Sequence, residues 1–164
     1  MDKRLLVDQL VARVRESIAT AEREMAAAAD AAQNGEEAKA RREDTRMAIE
    51  YSALARGQQK RAESARIALA ELESFHPGRI PRGGRVQLGA ILEVEDEDTG
   101  DGRTFFIAPH GAGEELSGPG GDGFFSVVTP GSPLGKAAHG QQVGDSFDVT
   151  VDGVTKSWEI TWLE

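Results

Sequence analysis

The chain has 164 residues, which is enough for one or two small domains. Hydrophobic residues make up 39% and charged residues 29%, a composition typical of a folded protein and not of a disordered one. The net charge of −9 argues against duplex nucleic acid as the main partner, because its phosphates would be repelled.

The sequence gives no sign of a membrane span, a secretory signal or a disulfide. No run of about 18 apolar residues occurs. Charged residues interrupt the N-terminal segment every few positions, unlike the apolar core of a signal peptide. The chain has no cysteine, which excludes thiolate metal sites and fits a reducing compartment. We therefore expect a cytoplasmic protein with no membrane partner.

Charge is distributed unevenly along the chain. Residues 1–76 contain 13 Lys/Arg and 14 Asp/Glu, whereas residues 77–164 contain 6 and 14, a net charge of −8. Tyr51 and Phe75 are the only aromatic residues of the first part, and both tryptophans lie in the second. This contrast predicts two domains of different kinds.

The first part has the apolar spacing of a coiled coil. Apolar residues recur in steps of three and four from Val7 to Ala32 and again from Met47 to Phe75. The strongest break between the two runs is Asn34-Gly35, a dipeptide that tolerates a left-handed backbone. The predicted elements are helices over residues 3–33 and 36–75, which form an antiparallel coiled-coil hairpin over residues 1–76 with its tip at residues 33–37.

The same spacing leaves an alternative open for this half. Two copies of the chain could pair through residues 3–75, which would make the protein a dimerising coiled-coil adaptor. We expect a monomer with a folded-back hairpin. A stable dimer through these helices would contradict that prediction.

The second part has the pattern of a small antiparallel sheet. Residues 77–84 contain two prolines and three glycines and are predicted to be a linker. Alternating apolar residues predict a strand from Val86 to Val94. Further predicted strands are residues 104–108, residues 124–129, and a hairpin on either side of Asp152-Gly153.

One short helix is predicted between these strands, within residues 132–145. Ser132 suits the N-cap, Pro133 the first helical position and Gly140 the position after the end. Residues 85–164 are therefore predicted to form about five strands curled over one helix. The whole chain is assigned to the α+β class.

Two motif-like stretches do not qualify as active sites. GPGGDG (118–123) has the spacing G-x-G-x-x-G, but a strand and not a helix follows, so dinucleotide binding is not expected. DEDTGDG (96–102) is rich in carboxylates, but Ile107 occupies the twelfth position, where an EF-hand needs an acid. We interpret it as a solvated hairpin turn. No intrinsic cofactor, metal site or self-contained enzyme activity is predicted.

Three stretches resemble the C-terminal domain of the bacterial Gre (GreA/GreB) transcription elongation factors. They are GGRVQLGAILEVED, VVTPGSPLGKAAHGQQVGDSFDVTV and the closing SWEITWL. A helical hairpin of this length with a glycine-acid turn is also the family's architecture. The resemblance implies an FKBP-like second domain and binding to RNA polymerase at its secondary channel.

The resemblance also implies a mechanism in which the chain is not itself the enzyme. The family's hairpin enters the secondary channel, where tip carboxylates help to hold the second Mg²⁺ of the polymerase. A water activated by a hard divalent cation then cleaves the extruded 3′ end of backtracked RNA. The expected partners are RNA polymerase directly and the RNA 3′ end indirectly.

The family pattern at the tip is Gly-Asp-x-x-Glu, and this chain matches it only in part. With Gly35 aligned, Glu36 takes the first acid position and Lys39 the second. Shifting by one pairs Glu37 with Ala40. An alternative register on EDTRMAIEY (43–51), which begins with Glu43, gives Asp44 and Met47. In each register one acid is present and its partner is missing.

Two further sets of residues are candidates for contact. The family's polymerase-docking loop, an acid or amide followed by Ser-Pro, implies that Ser132 and Pro133 bind polymerase, with Gly131 in place of the polar residue. Capping of the short helix is an alternative role for the same pair, and both roles are compatible. Basic residues near the tip are candidates for contact with RNA or polymerase, or for a solvated helix face: Lys39, Arg41, Arg42 and Arg46.

Four functions stand as alternatives, one of them the dimerising adaptor described above. The leading prediction is a regulator of backtracked polymerase that stimulates transcript cleavage, and the second is an inhibitor that blocks the secondary channel without cleavage. A peptidyl-prolyl isomerase is a weaker alternative, because no aromatic cluster for a proline pocket is evident in the sequence.

Overall fold

The structure is a computed structural model that describes residues 2–34, 41–121 and 123–164, with the side chains of residues 31–45 and of Tyr51 outside the description. Two long helices are followed by a sheet domain. The helices are α1 (Arg4–Asn34), α2 (Arg41–Ser74) and, between β4 and β5, α3 (Pro133–Ala138). The strands are β1 (Ile91–Asp96), β2 (Gly102–Ile107), β3 (Glu115–Ser117), β4 (Phe124–Val128), β5 (Ser146–Val151) and β6 (Val154–Leu163).

The chain forms two compact units. One unit is Val11–Ala70, and the other combines Met1–Leu10 with Glu71–Glu164. This division differs from the predicted domain boundaries, because both helix ends near the linker belong to the sheet unit. Their apolar side chains are fully buried there: Leu6, Val7, Leu10 and Leu72.

The unit Val11–Ala70 contains most of the two predicted helices. Arg66 of α2 donates to Glu22 of α1 at 2.6 Å, which joins the helices side by side. Among the described side chains of this unit, the buried hydrophobic residues are Val11, Ala21 and Ala62. The predicted seam residues Met47 and Leu54 are instead 50% and 53% exposed, because a two-helix unit has no third element to cover long side chains.

The sheet has the strand order β3-β4-β2-β1-β6-β5. Its pairings are antiparallel except that of β2 with β4, which is parallel, so the predicted antiparallel sheet is in fact mixed. It also has six strands and not about five. The three-residue edge strand β3 is too short to show an apolar alternation in the sequence.

The first predicted strand begins later than expected. Residues 86–90 are not a strand, because Gly89 has a φ of +87° within a turn closed by the Ala90 N–H and the Gln87 carbonyl at 3.0 Å. Leu88 is 44% exposed, whereas Ile91 is fully buried. The apolar alternation from Val86 therefore continues through a turn and not along one strand.

The other predictions for this domain agree with the structure. Strands β2 and β4 include all but the last residue of the predicted strands 104–108 and 124–129. The β5–β6 hairpin turns at Asp152 and Gly153, whose φ values are +52° and +78°. Both values are positive, as a two-residue type I′ turn requires.

The main core lies on one face of the sheet, beneath α3. Leu134 and Ala137 of α3 pack against a cluster of buried side chains from the central strands. Within it, the rings of Phe105 and Trp158 meet edge to face, with their centroids 6.5 Å apart. Burial of these apolar residues provides the main driving force for the fold of this unit.

A buried lysine joins three distant parts of the sheet unit. Lys3 is 5% exposed, and its Nζ donates to the carbonyls of Gly78 at 3.0 Å and Glu164 at 2.7 Å. Burial lowers the pKa of Lys3 below its ordinary value. The start of α1, the linker and the end of β6 are thus held together by one side chain.

Across the described residues, none of the helices is both long enough and apolar enough to cross a membrane.

Gly135→Ala is expected to destabilise the protein. A Cβ at position 135 would lie 2.0 Å from the Thr129 carbonyl oxygen, a backbone atom that cannot move aside. Alanine favours helix by up to about 1 kcal/mol over glycine, but a clash of this kind costs about 1–3 kcal/mol, so the clash decides the sign. Urea unfolding measures the difference.

The matched control is Gly131→Ala in the neighbouring turn, where a Cβ would meet nothing within 4 Å. It should leave the midpoint nearly unchanged. Equal effects of the two substitutions would contradict the close approach of α3 to residue 129.

Candidate functional site

The short helix α3 is capped as the sequence predicts. The Ser132 hydroxyl accepts from the Gly135 N–H at 3.1 Å and donates to the Thr129 carbonyl at 2.8 Å. Pro133 takes the first helical position, and Gly140, with a φ of +80°, follows the C-cap residue His139. The capping role predicted for Ser132 and Pro133 is therefore confirmed.

A groove of about 420 Å³ opens beside the start of α3. One wall is formed by residues 132–134 and the floor by Phe105 and Trp158 of the sheet. The tip of the β5–β6 hairpin also lines the groove, and its Val151 and Val154 are 53% and 61% exposed. The groove therefore presents apolar side chains to water at a site where the sheet is not covered.

The aromatic pair on this floor was not predicted from the sequence. Phe105 and Trp158 are 53 residues apart in the chain, so no local motif shows their proximity. Strand order explains it, because β1 separates β2 from β6 and all three strands direct alternate residues to the same face. The structure thus brings together one aromatic pair that the sequence did not reveal.

An ion pair between a buried carboxylate and the half-exposed Lys156 lies at the edge of the groove. Asp96 is 2% exposed, and its Oδ2 accepts from Lys156 Nζ at 3.1 Å. Its Oδ1 accepts from the N–H groups of Asp98 and Thr99 at 3.0 and 3.2 Å. The hydrogen bond from Lys156, supported by these amides, holds the pKa of Asp96 below its ordinary value. The predicted solvated turn is therefore wrong for Asp96, which lies at the buried end of β1.

Two cations line the groove, and one of them is the Lys156 of this ion pair. Lys156 lies 5.7 Å from the centre of the Trp158 ring, an arrangement that favours a cation above the aromatic face. Arg103 is exposed on β2, two residues before Phe105 and therefore on the same face of the strand. Neither residue was a candidate in the sequence, although the period of two along β2 and β6 places both on the core face.

The structure does not bring the predicted tip residues into a described site. Glu36, Glu37 and Lys39 lie outside the described residues. The backbone of α2 includes Arg41, Arg42, Glu43 and Asp44, whose side chains are not described. Arg46 is exposed and pairs with Glu50 at 3.8 Å. Among the described residues, no group of three or more His, Asp or Glu is placed to hold a metal ion.

The part of the chain that contains the groove matches a known family. A sequence profile described as "Transcription elongation factor, GreA/GreB, C-term" matches residues 81–164, just over half of the chain. The chain belongs to the GreA/GreB family. The predicted resemblance is therefore confirmed, and every residue that lines the groove lies within the matched region.

Curated relatives of this GreA/GreB protein carry the name transcription elongation factor GreA. The one from Polaromonas naphthalenivorans (strain CJ2) is 33% identical over 92 residues, which cover 56% of this chain and 53% of the relative. The one from Sinorhizobium medicae (strain WSM419) is 28% identical over 130 residues, 68% of this chain and 77% of the relative. In the first alignment the chain thus spans about half of its relative's length.

Solved structures of similar proteins have lower identity. A crystal structure of Gfh1 from Thermus aquaticus is 16% identical with a TM-score of 0.38, and the match covers 96% of this chain and 90% of that one. GreA/GreB from Nitrosomonas europaea is 17% identical with a TM-score of 0.39, over 60% of this chain and 78% of that one.

Ser132→Ala is expected to lower stability by about 1 kcal/mol, because the first turn of α3 loses its N-cap acceptor. Ser132→Asn keeps a side-chain oxygen that can accept from the Gly135 N–H and should retain most of the stability. Urea unfolding of both variants tests this role. Equal loss in the two variants would show that the cap is not what Ser132 contributes.

Asp96→Asn is expected to destabilise the protein most near neutral pH. Because the folded pKa of Asp96 lies below its ordinary value of 3.8, the carboxylate stabilises the fold fully above about pH 4. That contribution is lost as the pH falls through the folded pKa. The difference between wild type and variant, measured by urea unfolding, should therefore shrink in acid.

The control for this measurement is Asp98→Asn, an exposed side chain in the same turn. Its effect on stability near neutral pH should be smaller than that of Asp96→Asn. A larger effect of the control would contradict the importance of the buried ion pair.

Proposed function

We propose that this GreA/GreB protein binds bacterial RNA polymerase at the secondary channel and acts on backtracked elongation complexes. The observation that carries this proposal is the family match over residues 81–164, which contain the whole groove with Ser132 and Pro133 on its wall. The relatives named above are transcription elongation factors, which supports the same process for this chain.

The groove is the surface that we assign to polymerase docking. By the sequence resemblance, Ser132 and Pro133 correspond to the family's Ser-Pro docking loop, and both line the groove together with Leu134. Exposed apolar side chains beside a concave surface are typical of protein interaction sites. Capping fixes the position of this wall, so the structural and docking roles of Ser132 support one another.

The helical hairpin is the part that we assign to the channel. Helix α1 has 31 residues, which corresponds to about 46 Å at about 1.5 Å per residue. In this proposal Glu36 or Glu37 contacts the second Mg²⁺ at the polymerase centre, with Glu43 and Asp44 as the alternative register. A carboxylate and a divalent cation together position and acidify water for cleavage of the RNA 3′ end.

A second function, inhibition by blocking the channel, is supported by the tip sequence. Lys39 or Ala40 stands where the family pattern has its second acid. A single carboxylate provides fewer oxygen ligands for Mg²⁺ than a pair does. The same hairpin would then occupy the channel without stimulating cleavage.

A stalled, backtracked elongation complex separates these functions. If the protein stimulates cleavage, the RNA shortens in its presence, and Glu36→Ala/Glu37→Ala abolishes the shortening while polymerase binding remains. If it blocks the channel, elongation slows without shortening. A matched control is Glu16→Ala/Glu24→Ala on exposed positions of α1, away from the tip, which should leave either effect unchanged.

Docking is tested separately by polymerase binding. Pro133→Ala is expected to weaken binding to core polymerase about tenfold or less, since one apolar wall contact is worth about 1 kcal/mol. Pro81→Ala, an exposed proline outside the groove, is the control. No binding by wild type, or equal binding by both variants, would contradict the assignment of this surface.

A further inference from the structure

We propose that the groove binds an acidic and apolar protein segment, which inserts an apolar side chain beside Trp158 and pairs carboxylates with Arg103 and Lys156. This inference rests on the proposed function, and it names the chemistry of the polymerase surface that docks there. It also makes Arg103 a residue that determines partner specificity.

The apolar part of the argument comes from exposure. Val151 and Val154 leave more than half of their surface in water, although they adjoin a buried core. They line the same groove as Leu134 and the buried rings of Phe105 and Trp158. An inserted aliphatic or aromatic side chain would remove the exposed surface of the two valines from water, and burial of apolar surface is the main source of affinity at protein interfaces.

The electrostatic part comes from Arg103. Its exposed side chain lines the groove, and among the described residues it has no hydrogen bond or ion pair. Residues 77–164 have a net charge of −8, so an arginine without an ion-pair partner beside an apolar surface is unusual in this part of the chain. A guanidinium in this position can accept a carboxylate in the two-point geometry that arginine favours.

Lys156 adds a second, oriented cation. Asp96 takes one of the three donors of its ammonium group, and the Trp158 ring lies on its other side. The side chain is nevertheless 51% exposed. The buried carboxylate therefore positions Lys156 at the groove and leaves donors for a partner. Together, Arg103, Lys156 and Asp96 give the groove a net charge of about +1, which a partner carboxylate would neutralise.

A nucleic acid fits this surface less well. Phosphate recognition needs several cations around a polar track, whereas this groove has two cations around a mainly apolar floor. RNA binding at the groove is accordingly an outcome that would overturn the proposal.

The first test is an NMR titration of the full chain with synthetic peptides. One peptide has a central leucine flanked by glutamates, and its match has lysines in their place. We expect the acidic peptide to shift the Trp158 indole and the amides of residues 103–105, and the basic peptide to have no effect. Equal shifts with both peptides, no shift with either, or shifts only with a single-stranded RNA oligonucleotide would overturn the inference.

Matched variants locate the two parts of the interaction. Arg103→Glu should weaken acidic-peptide binding about tenfold, whereas Arg103→Lys should keep most of the affinity. The control is Arg82→Glu, which makes the same charge change at an exposed linker residue and should not alter the affinity. Val154→Asp should also weaken binding. Its control is Val143→Asp, which is 53% exposed but outside the groove. Equal effects of variant and control would overturn the inference.

A polymerase-binding assay separates this inference from the proposed function. If core polymerase binds wild type and loses affinity for Arg103→Glu, both stand. If polymerase binds wild type and Arg103→Glu equally, the inference fails and the proposed function stands. If the acidic peptide binds as expected but polymerase does not bind wild type, the proposed function fails and the chemistry of the groove stands.

Discussion

Helix α3 is too short to cover the sheet, and the candidate site is a consequence of that mismatch. Its six residues span about 9 Å, whereas the ten residues of β6 extend about 33 Å. The core beneath α3 is apolar. Along β6, the side chains on the same face of the sheet change from the buried Ile160 and Trp158 to the exposed Lys156 and Val154. The groove is the uncovered remainder of the core face.

A helix of six residues has little stability of its own, so its position depends on tertiary contacts. Gly135 lets the helix approach the Thr129 carbonyl more closely than any residue with a Cβ would allow, and the Ser132 hydroxyl binds the same carbonyl. Pro133 adds a backbone angle already suited to the first turn. The wall of the groove formed by residues 132–134 is thus held in place, whereas the valines at the tip of the β5–β6 hairpin, which also lines the groove, are more than half exposed.

Local features of this fold could be predicted from the sequence, and features that depend on strand order could not. The Asp152-Gly153 turn and the Ser132 cap require particular backbone angles or donors, and single residues reveal them. The parallel pairing of β2 with β4 joins residues whose proximity no local pattern encodes. The acidic residues around Asp96 suggested that it lies in a solvated turn. Asp96 is buried instead, because it lies two residues after Val94 in β1 and therefore on the same, buried face of the strand.

The hydrogen bonds of Ser132 also constrain how the groove can recognise a partner. Its hydroxyl has one proton and two lone pairs, and the fold uses the proton for the Thr129 carbonyl and one lone pair for the Gly135 N–H. Little hydrogen-bonding capacity is left for a second protein. If the Ser-Pro segment docks, its contact must therefore come mainly from the rings and methyl groups of Pro133 and Leu134. The charges of Arg103 and Lys156, which line the same groove, then determine how the partner is oriented.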